Sequence, residues 1–196
     1  MKDLIDKLKP EVEKLSHDEN FIHHKWFFKY HLELVERISL ELYEKYKDSD
    51  LDLIKGLIWI HDYGKIIGLK DDKEVLERSR NFLYEIGFED SYVNRVIELL
   101  NIFESKMTMD LSEAPMEVRI VSTADGVSHM FGPFYQIYWY ENPEMSVEEL
   151  MESNMGKLKK DWDRKIVLPE VKESLQEQYD FLRQSFGKIS KKIFNY

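Results

Sequence analysis

Apolar residues recur along this chain at spacings of three and four, the mark of amphipathic helices, and alternating strand patterns are hard to find. The first such segment carries Leu4, Ile5, Leu8, Val12 and Leu15, with Pro10 predicting a kink or two short helices. A longer one, roughly 23–46, carries Phe27, Leu34, Ile38 and Leu42 and ends at KDSD. Asp50 or Ser49 caps a third helix, Leu51 to about His61, which Gly64 is expected to stop. Lys73 to Ile86 is closed by Gly87 in the C′ position, and Asp90 or Ser91 opens another helix to about Glu104. Pro115 suits the first turn of a helix through Val127, and Gly132-Pro133 breaks the chain before the aromatic run Phe134 to Tyr140. Ser146 to Glu149 reads as a capping box ahead of a helix to about Arg164, and Pro169 opens a last helix toward Phe186 and Gly187. The expectation is an all-α fold of about seven to nine helices, one domain over 1–196 with no repeat or linker.

Length agrees: 196 residues leave room for one domain, and 43% hydrophobic residues supply its core. Charge narrows the partners. Lys and Arg number 28 against 38 Asp and Glu, and the net −10 argues against a nucleic-acid backbone. With no cysteine, disulfide scaffolds, thiolate zinc sites and Cys nucleophiles are excluded, so any metal must sit on His, Asp or Glu. The opening MKDLIDKLKPEVEKL carries charges every two or three residues, and the longest apolar stretches, such as Leu57 to Ile60, are too short to span a bilayer. A cytoplasmic protein with no membrane partner is expected, with a homodimer the generic expectation for its assembly.

The most informative stretch is Ile60-His61-Asp62-Tyr63-Gly64-Lys65, which sets an imidazole beside a carboxylate where an apolar helix is about to end. Adjacent helical residues point about 100° apart, so both reach one ion only if it lies between this helix and a neighbour that supplies further ligands. Such neighbours exist. His31 lies among Phe27, Phe28, Leu34 and Val35, and Asp125 follows Ile120-Val121-Ser122-Thr123-Ala124, an approach that carries a carboxylate inward. Buried without partners, each such group costs several kcal/mol, and a shared divalent cation removes that cost for all four.

His31, then His61-Asp62, then Asp125 resembles the H…HD…D hallmark of the HD-domain superfamily of metal-dependent phosphohydrolases. The contexts agree as well: HLELVERISLEL, GLIWIHDYGK and RIVSTADGVSH, over about 23–130, with helices over 146–187 packing on that core. The resemblance implies a helical bundle holding one divalent metal (Mn, Fe, Ni, Co, Zn or Mg) on His31, His61, Asp62 and Asp125. It implies a metal-activated water that attacks a phosphate ester of a small molecule, with a nucleotide the first expectation. Asp62 then belongs to the catalytic machinery, and Lys65, one turn on, matches a frequent lysine of the family and meets the substrate phosphate.

Two-metal members carry further histidines after the doublet; here the corresponding stretches, Leu69 to Glu74 and Ile102 to Ser105, have none, which favours one metal. Asp72 and Glu104 are left as candidates for a general base or a supporting carboxylate. His129, four residues after Asp125, shares its helix face if the helix continues, and lines the pocket or meets a phosphate. His17 and His23 have no evident partner, and His24 reads as a surface or core-edge residue. The aromatic run reads as core or dimer surface first and as a platform for a nucleobase second. Lys157, Lys159, Lys160, Arg164 and Lys165 read as a solvated face paired with Glu148, Glu149 and Glu152, with steering of an anionic substrate as the functional alternative. Two other classes of function stay open: a non-catalytic metal- or nucleotide-binding sensory module, and a di-iron oxygenase of HD type.

Overall fold

The computed structural model describes residues 2–187, and every regular element among them is helical. The order is α1 (Lys2–Ser16), α2 (Glu33–Tyr43), α3 (Leu51–Ile60), α4 (Tyr63–Ile66), α5 (Asp72–Ile86), α6 (Asp90–Glu104), α7 (Met116–Ser128), α8 (Phe134–Glu141), α9 (Val147–Lys160) and α10 (Pro169–Phe186). Nine of these have eight residues or more and α4 is a single turn, so the expected all-α bundle of seven to nine helices is what the chain forms. Residues 1 and 188–196 of the expected domain lie outside the described residues.

The segment α3 is apolar almost all round and is accordingly central, with Ile54, Leu57, Ile58, Trp59 and Ile60 buried among α1, α2, α6 and α7. Each such side chain contributes roughly 1.5–3 kcal/mol relative to exposure. Asp50 starts the helix as expected: its carboxylate accepts the N–H groups of Asp52 and Leu53 at 2.9 and 3.1 Å. A smaller core lies between α7 and the C-terminal helices, built on Val127, Met130, Tyr135, Leu158 and Ile166, with Trp162 stacked on Tyr179. Ser122 Oγ donates to the Lys165 carbonyl at 3.0 Å and Val167 N–H to Thr123 Oγ1 at 3.2 Å, tying α7 to the chain beyond α9.

Several boundaries follow the expected chemistry. Gly87 closes α5 at φ 108°, the Ser146–Glu149 capping box is formed, and Pro169 stands in the first turn of α10. Others differ. Helix α1 runs through Pro10 as one element. The cap position of α6 falls on Glu89, without a side-chain bond, rather than on Asp90 or Ser91. Gly64 does not stop α3: the helix ends because Asp62 leaves it at φ −113°, ψ 13°, and Gly64 lies within α4, where a Cβ would strike Val75. The positive φ comes later, at Gly68, and this two-step exit leaves Asp62 at a free corner.

The largest departure is in winding. The predicted single helix over 23–46 contains a wide turn, Phe28–Leu32, where Glu33 N–H reaches back five residues to the Phe28 carbonyl before α2 proceeds. The helix predicted to end at Arg164 likewise stops at Lys160 and continues as a second wide turn, Asp161–Lys165, with Ile166 N–H donating to the Asp161 carbonyl at 3.0 Å. Such π turns concentrate at functional sites. Here one carries His31 and the other carries Asp161 and Lys165.

Candidate metal centre

Three of the bundle's segments end or widen at one place. The first π turn brings in His31, the end of α3 brings His61 and Asp62, and α7 brings Asp125, with His129 just past its last turn. The four residues expected as ligands are thereby gathered. Ligand atoms of His31, His61 and Asp62 lie within 4.8 Å of one another, and so do those of His31, Asp125 and His129, two triads sharing His31. His31, Asp125 and His129 are buried, and the cluster they form can hold a metal ion.

Hydrogen bonds around the rings decide which nitrogens face the centre. His61 Nδ1 lies 2.7 Å from the Ile58 carbonyl, an acceptor only, so the proton is on Nδ1 and the lone pair on Nε2. That Nε2 is buried without a hydrogen-bond partner, 3.5 Å from Asp62 Oδ2. His31 Nδ1 faces outward, 3.0 Å from Ser128 Oγ, which itself lies 2.7 Å from the Asp125 carbonyl. His31 Nε2 faces inward and meets Asp62 Oδ2, an oxygen that can only accept, at 3.1 Å, with Asp125 Oδ1 at 3.8 Å. Inward nitrogens of two imidazoles and oxygens of two carboxylates thus gather around His31, where a cation would take the place of the proton between His31 and Asp62. That is a donor set for a cation, each ring held by an outer hydrogen bond as metal-binding histidines are.

Charge follows the same geometry. Burial pushes the Asp62 carboxyl up, but the Lys65 ammonium and the imidazoles of His61 and His31 outweigh it and hold Asp62 well below the carboxylate range. Burial likewise opposes ionisation of Asp125, and Lys165 ahead of the histidines reverses it. Burial lowers His31 despite its contact with Asp62, which keeps the ring neutral. Lys65 Nζ donates to Asp62 Oδ2 at 2.8 Å from the cavity side.

The basic run is where the structure corrects the sequence most. Lys157 and Lys165 do not pair with Glu148, Glu149 or Glu152 on a solvated face; they turn inward. Lys165 Nζ is buried and donates to Asp125 Oδ2 at 2.6 Å, while Lys157 Nζ donates to both oxygens of buried Asp161 at 2.6 and 2.7 Å. Burial pulls the Lys157 ammonium down, with Lys165 adding to it and Asp161 opposing, to about 8. Asp125 and Asp161 overcome the same burial penalty at Lys165 and raise it. A signal for this was present: Leu150, Asn154, Leu158, Asp161 and Lys165, all buried, fall at spacings of four, four, three and four, the stripe of an inward helix face.

The cluster opens on a cavity of about 690 Å³, a size suited to a small molecule. Its lining includes Lys65, Lys70, Lys106, Lys157, Lys160 and Lys165. Asp72 and Glu104 line it too, but neither joins the ligand cluster; Glu104 is paired with Lys106 at 3.0 Å. The aromatic run divides its labour. Phe134 and Tyr138 line the cavity, Tyr135 is buried in the smaller core and Tyr140 is exposed. His23, for which the sequence offers no partner, meets Glu141 Oε2 at 2.9 Å, and Trp26 Nε1 donates to Glu141 Oε1 at 2.7 Å, both at the cavity wall. His17 and His24 bond to backbone carbonyls away from the cluster. Among the described residues no helix is long and apolar enough to cross a membrane. No protein-family model, curated protein or solved structure matches the chain.

Proposed function

We propose that this chain is a metal-dependent phosphohydrolase of HD type, acting on a phosphate ester of a small molecule, with nucleotides the first class to test. The observation that carries the reading is the gathering of His31, His61, Asp62 and Asp125, with the His61 Nε2 left without a partner, and a lysine-lined cavity directly outside it. A divalent ion on those four residues would supply an activated water and neutralise charge on the phosphoryl oxygens. Lys65, half exposed at the cavity side of Asp62, meets a phosphoryl oxygen as a point charge. Lys70 and Lys160 add positive charge to the cavity lining of an otherwise acidic protein, which favours an anionic substrate. Phe134 and Tyr138 offer ring faces for a base or another planar group. Of the two carboxylates considered as general base, Asp72 is the better placed to take a proton, since Glu104 is engaged by Lys106.

One observation favours a second reading, a non-catalytic metal- or nucleotide-binding module: Lys165 already neutralises Asp125 from within the fold. The two readings separate in one experiment. Metal-stripped protein, reloaded in turn with Mn, Co, Ni, Fe, Zn and Mg, is offered a chromogenic phosphomonoester, a phosphodiester and a nucleotide panel, beside Asp62→Ala. Metal-dependent hydrolysis that vanishes in the variant is the expected result. Stoichiometric metal binding without turnover would move the assignment to the module, and two irons per chain with oxygen-dependent turnover would move it to the oxygenase.

A further inference from the structure

The ring of His129 lies parallel to that of His31, 3° between planes and 5.0 Å between centroids, so the two imidazoles enter the cluster side by side. Its Nδ1 is 2.9 Å from Asp161 Oδ2, a carboxylate oxygen with no proton to give. Lys157 Nζ stands 3.0 Å from the same Nδ1 and keeps a third proton beyond the two it gives to the oxygens of Asp161, at 2.6 and 2.7 Å, so a donor and an acceptor both face Nδ1. The carboxylate is the shorter of the two contacts, and with Nδ1 donating to Asp161 the lone pair is left on Nε2, 3.7 Å from Asp125 Oδ1. Asp161 cannot swing away. It is fully buried and gripped by Lys157 on one side and Lys165, at 3.5 Å, on the other.

Resting on the metal reading above, we infer that His129 is the fifth protein ligand and third imidazole of that ion, with Asp161 the positioning residue that turns its Nε2 lone pair inward. Three imidazoles and two carboxylates form a nitrogen-rich set, suited to first-row transition ions such as Mn, Fe, Co, Ni or Zn and poorly suited to Mg, which takes oxygen and keeps its waters. Of the six ions compatible with the four-residue motif, Mg is thereby set aside. The sequence spacing alone is silent on this, because the Asp161 that fixes the tautomer is 32 residues from His129.

The test is metal binding by the full chain, without substrate. Co(II) affinity is measured by competition with a chelator, and the nitrogen superhyperfine pattern of the Cu(II)-loaded protein counts bound imidazoles. Expected are one tight site with three nitrogens in the wild type, and two nitrogens with roughly 10–100-fold weaker Co(II) binding in His129→Gln. Asp161→Ala should match His129→Gln, whereas Asp161→Asn, whose amide oxygen can accept the same N–H, should restore the third nitrogen. A large excess of Mg should not displace Co(II). If Asp161→Ala fails to fold, His129→Gln alone decides. Unchanged affinity and nitrogen count in His129→Gln would overturn the inference while leaving the four-ligand site standing. A wild type that binds none of these ions would overturn the metal reading itself, and this inference with it.

Discussion

Asp62 and Asp125 each carry a lysine, but the two ends of the site are assembled differently. At the Asp62 end the partner is Lys65, three residues on within the same short segment, and the side chains are 16% and 48% exposed. At the Asp125 end the partner is Lys165, 40 residues away on the second π turn, and the exposures are 4% and 9%. The first pair is local and open to solvent, so it can exchange partners at little cost to the fold. The second joins α7 to the C-terminal region across a dry interface, where an unpaired charge is expensive. The same ion-pair chemistry thus serves an exchangeable contact at one end and a tertiary tie at the other.

The largest expected effect is at the buried end. Lys165→Met leaves Asp125 and Asp161 without their shared cation and should cost about 3–5 kcal/mol in urea unfolding with chelator present. A divalent ion that occupies the site should recover more stability in this variant than in the wild type, because it replaces the missing charge at Asp125. A loss below about 1 kcal/mol would remove the distinction between the two ends. Gly126→Ala tests the same tie sterically: a Cβ there would lie 2.8 Å from Ile166 Cγ1 and 3.0 Å from Lys165 Cβ. Overpacking of this kind costs about 1–3 kcal/mol, read as a lower unfolding midpoint.

Acid gives a more gradual separation, followed as the urea midpoint of metal-free protein against pH. Burial holds His31 below 6.5 and, with Lys157 adding to it, takes His129 to about 3, while the unfolded chain protonates both near 6.5. The unfolded state therefore binds more protons, and stability should fall as pH drops from about 6.5 toward 3. Asp62 and Asp125, held well below 3.8, add a second loss as pH passes below 3.8. His129→Gln should flatten the upper part of the curve and spare the lower. The smallest change in stability is expected at the open end: Lys65→Ala should stay within about 0.5 kcal/mol of wild type while lowering phosphohydrolase activity. A Lys65→Ala protein that is fully active would remove Lys65 from the proposed chemistry.

The same contrast explains what could be read in advance. The ends of α3 and α7 are legible because polar residues there interrupt long apolar runs: Ile58-Trp59-Ile60 leads into His61-Asp62, and Ile120 to Ala124 leads into Asp125. The structure brings these four residues to one place. Gly87, the Ser146 capping box and Pro169 are legible because each meets a strict local demand of a helix end. Lys157, Asp161 and Lys165 lie in a stretch where charge is abundant, so composition is silent there, and only the helical spacing from Leu150 and Leu158 marks Asp161 and Lys165 as inward. The π turns left no mark either, since widening a helix by one residue needs no special side chain and only tertiary packing rewards it.

Those two wide turns bear on how this chain should be aligned with any other. A π turn is an α-helix into which one residue has been inserted, so deleting a residue within Phe28–Leu32 or Asp161–Lys165 would restore regular winding. The helices on either side would keep their register, because the extra residue is absorbed within the wide turn itself. In the first turn a deletion ahead of His31 would shift it relative to Phe27, whose ring packs against it at 4.9 Å. In the second it would shorten the spacing between Asp161 and Lys165, 3.5 Å apart across that turn, from four residues to three. A chain of otherwise similar sequence with a one-residue gap at either place would carry every motif residue of this one on a differently wound turn, so gap placement carries information here that residue identity does not.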